Sequence, residues 1–110
     1  VSAIDPEIAS QLAADLPRDV FVNVVRTFEA DLARLVRQMA EAASSGDQEE
    51  FRRGAHGLAG AAGAIGALKL EALARQAMNP RSTTEPEQAI LGLSAAAEAA
   101  LAELMRLTAA

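Results

Sequence analysis

A chain of 110 residues has room for one modest hydrophobic core, so a single domain spanning residues 1–110 is expected. The absence of Cys and the presence of one His exclude disulfides, thiol chemistry and a protein-only zinc site, and a net charge of −5 lacks the basic stripe that nucleic-acid binding requires. Apolar residues make up 51% of the chain but aromatics only 3%, and 27 positions are Ala, which points to a helical core of Leu, Val, Ile, Met and Ala.

Asp5-Pro6-Glu7 is a helix-start signature, with Asp5 as N-cap, Pro6 at the first helical position and Glu7 favourable to the dipole. The first helix is predicted to be short, ending near Leu12 or Ala14. Pro17 resets the chain. Phe21, Val24, Val25, Phe28, Leu32, Leu35, Val36, Met39 and Ala43 then recur at three- and four-residue steps, the mark of a long amphipathic second helix. Its stop is Ser44-Ser45-Gly46, where Gly46 can take the left-handed cap conformation. Asp47, with Glu50 three residues later, forms a capping box for a third helix.

That third helix carries the seam Phe51, Ala55, Leu58, Ala62 and Ile65, and Gly63-Ala64-Ile65-Gly66 marks its end. Leu70, Leu73, Ala74 and Ala77 line a fourth helix stopped by Asn79-Pro80, and Arg81-Ser82-Thr83 reads as a loop. Thr84-Glu85-Pro86-Glu87 opens the last helix, along which Ile90, Leu93, Ala97, Leu101, Leu104 and Thr108 form one side. No strand is predicted. Short connections between long helices favour antiparallel neighbours, so the expected fold is all-α: an antiparallel four-helix bundle with a short additional N-terminal helix covering one end.

The third helix also carries the chain's only histidine, His56. At about 100° per residue, His56 points roughly 140° away from the mean direction of the seam and should face solvent. Arg52 and Arg53 precede it by about a turn, and Ala59, Gly60 and Gly63 follow it. Each helix-interior Gly costs about 1 kcal/mol relative to Ala, so Gly54, Gly57 and Gly60 need a reason beyond helix propensity. One reason is structural: Gly54 lies close to the seam and lets a neighbouring helix approach. The other is functional. An exposed imidazole, small residues clearing a surface beside it and two guanidiniums one turn back make a place for a transferable phosphoryl group.

Ala55-His56-Gly57-Leu58-Ala59-Gly60 resembles the Ala-His-x-Leu-Lys-Gly motif of the histidine-phosphotransfer (HPt) family of two-component phosphorelays. Ile65-Gly66-Ala67 and Leu70 continue the likeness into the next helix, as do Ile4-Asp5-Pro6 and Phe28-Glu29-Ala30-Asp31-Leu32 earlier in the chain. One departure stands out: the family's lysine three residues after the histidine, which supports the phosphoryl group, is Ala59 here. The resemblance implies a phosphocarrier rather than an enzyme. His56 would accept a phosphoryl group from a receiver-domain aspartyl-phosphate and pass it to another receiver aspartate. Arg52 and Arg53 would support the group, and Ala59, Gly60 and Gly63 would form the docking surface. The implied partners are receiver (response-regulator) domains and a hybrid histidine kinase. No cofactor of the chain's own is implied, Mg²⁺ being expected in the receiver.

Three other readings compete. A histidine-kinase dimerisation domain typically has an acidic residue just after the His and a Pro five after it, where this chain has Gly57 and Ala61. A helical scaffold or adaptor with an inert surface histidine is the alternative, strengthened by Ala59. A hydrolase is the weakest, because Glu49/Glu50 and Glu85/Glu87 are explained as helix-start residues. Taken alone, Arg52 and Arg53 fit a solvated helix face better than a phosphate clamp. The uncharged stretch from Gly54 to Leu68 is too short to span a bilayer, and no secretory signal is read. A cytoplasmic monomer is therefore expected. Nine of the ten basic residues are Arg and Ala abounds, a composition associated with GC-rich bacterial genomes.

Overall fold

Helix α1, Pro6–Asp15, starts where Asp5 caps it, the side chain accepting from the Glu7 N–H at 3.0 Å. It runs slightly past the end expected at Leu12 or Ala14. In this computed structural model, which describes residues 3–109, four longer segments follow: α2 at Arg18–Ser45, α3 at Gln48–Ile65, α4 at Leu68–Met78 and α5 at Pro86–Ala109. No strand occurs among the described residues. At about 1.5 Å per residue the 28-residue α2 is about 42 Å long, so this one helix spans the molecule's 43 Å long axis.

The turns are built as the local chemistry dictates. Gly46 closes α2 and Gly66 closes α3, both left-handed, with φ of 74° and 80°. That conformation is costly for any residue with a Cβ. Asp47 caps α3 by accepting from the Glu50 N–H at 3.0 Å. Only half of the expected capping box forms, because the Glu50 carboxylate turns to Gln38 and Arg53, while the Asp47 N–H goes to the Ala42 carbonyl.

Connections as short as Gly46-Asp47 and Gly66-Ala67 force packed neighbours to run antiparallel. The four long helices close a ring, α2 against α3, α3 against α4, α4 against α5 and α5 against α2. Val25, Leu32, Met39, Leu58, Leu70, Leu93 and Leu104 fill its centre. No polar or charged residue is buried among the described residues. Two expectations for the core shift. Phe51 is half-buried at the rim, and along α5 it is Ala96 and Ala100, with Leu93, Ala97 and Leu104, that are buried, whereas Ile90, Leu101 and Thr108 are only partly covered.

The segment around α1 seals the end of the bundle where α3 turns into α4. The Asp5 N–H donates to the Gly66 carbonyl at 2.8 Å, the Ala3 and Ile4 N–H groups donate to Glu103 Oε2, and Ile4 is fully buried. Ile8 lies so close to Gly66 that a Cβ there would be 3.0 Å from its side chain. The α3–α4 corner is thereby pinned, and with it the phase of α3 against its neighbours.

Candidate functional site

His56 lies mid-way along α3 and is exposed. Glu49, Arg53, Gly60 and Ala64 share its exposed face. Opposite, Gly54, Ala55, Leu58, Ala59, Ala62 and Ile65 are buried. At about 100° per residue the buried set covers an arc of roughly 140°, and His56 stands at the edge of the exposed arc nearer to α4.

The glycines divide into two kinds. A Cβ on Gly54 would lie 2.5 Å from Met39 Cγ, and one on Gly57 2.8 Å from Leu35 Cδ2. Both are therefore small because α2 crosses there at close range. A Cβ on Gly60 would meet nothing within 4 Å, so Gly60 alone keeps open space beside His56.

The surface expected at Ala59, Gly60 and Gly63 therefore shrinks to Gly60. Ala59 is only 3% exposed, because it lies about 60° round from His56 on the side that α4 covers. Gly63 is half-buried, and a Cβ there would be 3.0 Å from Glu71 Oε2 of α4. A seam drawn from α3's own apolar residues misses this cover. The helix packs on two neighbours at once, and the second widens the buried arc past the apolar stripe.

The two arginines singled out from the sequence part company as well. Arg53 is exposed on the His56 face, but its guanidinium is shared between Glu49 at 3.1 Å and Glu50 at 3.2 Å. Arg52 is half-buried and lines a groove with Phe51, Leu73, Gln76 and Ala77 beneath the loop that follows α4. On α4 a further guanidinium, Arg75, pairs with Glu71 at 2.7 Å. Neither Glu71 nor Arg75 was singled out from the sequence. Their i, i+4 spacing was legible, but the meeting of Glu71 with Gly63 of α3 was not. Among the described residues no group of His, Asp and Glu stands together as a metal site, and no helix is long and apolar enough to cross a membrane.

Chemically the site offers one accessible imidazole mid-way along a helix, with open space at Gly60 a turn beyond it and the ion-paired Arg53 about a turn before it. Compared with known families, residues 23–107 match the sequence model described as the Hpt domain. No curated protein and no solved structure matches the chain.

Proposed function

The chain belongs to the Hpt domain family, which serves histidine phosphotransfer in phosphorelays, and from that premise we propose that His56 is its phosphoryl acceptor. The observation that carries this is the exposure of His56, the one histidine of the chain, in the middle of α3. A ring nitrogen of His56 attacks phosphorus of an aspartyl-phosphate on one receiver domain. The P–O bond to that aspartate breaks, and its carboxylate leaves with the electron pair. In the second transfer an aspartate oxygen of another receiver attacks phosphorus, the P–N bond breaks, and the electron pair returns to the ring.

Such chemistry asks little of the carrier beyond position and charge. The reacting atoms must come within about 3–3.5 Å, so the receiver has to reach close to the helix surface, and the gap at Gly60 admits it. Arg53 supports the phosphoryl group from the N-terminal side by exchanging its carboxylate partners for phosphoryl oxygens, and Arg52 adds long-range charge from its groove. In this reading the receiver supplies the acidic pocket and Mg²⁺, a hybrid histidine kinase stands upstream, and the domain acts as a cytoplasmic monomer.

The test is incubation of the protein with phosphorylated receiver domains, followed by assay for acid-labile, base-stable phosphate. His56→Gln should abolish acceptance and leave the melting temperature nearly unchanged, since an exposed side chain contributes little to stability. Labelled phosphate retained by the Gln variant would identify a different acceptor. No acceptance by the wild type across a full receiver set would leave a helical adaptor with an inert histidine.

A further inference from the structure

The contact at Gly63 fixes how α4 lies against the His56 face, and it brings another guanidinium to the site. Because α3 and α4 run antiparallel, each turn forward along α4 is a turn back along α3. Glu71 stands at Gly63, its Oε2 3.0 Å from where a Cβ would be. Further along, Gln76 and Ala77 line the groove that also holds Phe51 and Arg52. Arg75 lies between these two levels and so falls alongside the stretch from His56 to Ala59.

The sides agree as well as the levels. Gly63 and His56 are seven residues apart and point within about 20° of each other, so the flank of α4 that meets Gly63 also borders His56. Arg75 reaches back one turn to Glu71, with Nη2 2.7 Å from Oε2. That brings its guanidinium toward the level of Gly60, where the space is open.

A phosphoryl group brings between one and two negative charges, and the cations around His56 are not equally free to meet it. Arg53 is held by two carboxylates, and Arg52 is half-buried in its groove. On α2, Arg34 pairs with Asp31 at 3.6 Å, on the flank where Leu35 meets Gly57, about 100° round from His56. Arg75 has the single carboxylate of Glu71, and its side chain is 63% exposed. Glu71 is only 23% exposed, so what frees Arg75 relative to Arg53 is that it has one carboxylate to exchange rather than two.

We propose that Arg75 is the principal phosphoryl-supporting cation of this domain, ahead of Arg53 and Arg52, moving from Glu71 onto a phosphoryl group carried by His56. The proposal rests on His56 as acceptor, and it assigns from α4 a charge that α3 does not supply at Ala59.

The experiment loads the full chain chemically with potassium phosphoramidate, so that no receiver is needed. The ring nitrogen attacks phosphorus, the P–N bond of the reagent breaks, and ammonia leaves. The second ionisation of the phosphohistidine is then titrated by ³¹P NMR. A nearby guanidinium favours the dianion, so Arg75→Gln should raise the titration midpoint by about half a unit. Arg75→Lys should keep most of the wild-type value, and Arg53→Gln should shift it less than Arg75→Gln does. In 1 M salt, where the screening length falls to about 3 Å, the difference between wild type and Arg75→Gln should shrink. A midpoint for Arg75→Gln within about 0.1 unit of wild type, or a larger shift from Arg53→Gln, overturns the proposal. A protein that loads at His56 but passes nothing to any receiver refutes the carrier reading and leaves the titration decisive for Arg75. A His56 that phosphoramidate does not load overturns both.

Discussion

Gly60→Leu separates stability from transfer. Gly60 is a helix-interior glycine whose added Cβ would meet nothing within 4 Å, so a larger side chain there leaves the helix into open space. Leu exceeds Gly in helix propensity by about 0.7 kcal/mol, and in a domain of this size that raises the melting temperature by about 3–4 °C. The same side chain fills the space beside His56 into which a receiver must reach. A tenfold loss of transfer rate corresponds to about 1.4 kcal/mol of lost transition-state stabilisation, and at least that much is expected. Thermal melts followed by circular dichroism give the first quantity, and single-turnover transfer from a phosphorylated receiver gives the second. Gly57→Leu is the control, because its Cβ would already be 2.8 Å from Leu35 Cδ2 and the substitution should destabilise by about 1–3 kcal/mol. A Gly60→Leu protein that is stable and transfers at the wild-type rate would show that the receiver docks elsewhere. One that is destabilised would mean that this face is covered.

Two further substitutions test the frame that holds the site. Gly66→Ala should destabilise by about 1–3 kcal/mol, since it places a Cβ on a residue at φ 80° and 3.0 Å from Ile8. A melting temperature at or above wild type would show that α1 does not pin the α3–α4 corner. Ala59→Lys would restore the lysine that the HPt motif carries at this position, but at a site only 3% exposed it should cost about 1–3 kcal/mol by overfilling the seam between α3 and α4. An unchanged melt would mean that the seam opens to let the ammonium reach solvent.

Where the protein's structure is governed by local chemistry, the sequence alone determined it. Asp5 and Asp47 cap helices because a side-chain oxygen can reach an orphan N–H two or three residues on. Gly46 and Gly66 end helices because the left-handed cap penalises any Cβ. The exposure of His56 followed from the phase of one apolar stripe on one helix. Spacing of this kind is a property of a few adjacent residues, and it survives folding unchanged.

Only the tertiary structure decided what surrounds His56. Gly54, Gly57 and Gly60 look alike as letters, yet two are pressed by Met39 and Leu35 of α2 and one faces open space. Ala59 and Gly63 pointed near His56 by phase, but α4 covers the first and sets Glu71 against the second. Arg53 reads from the sequence as a charge beside His56, but Glu49 and Glu50 hold its guanidinium, and on α4 Glu71, which meets Gly63, holds that of Arg75. Helical phase gives the direction in which a side chain leaves its own axis. How wide an arc the neighbouring helices cover, and which of their charges they bring, depends on where those helices pack.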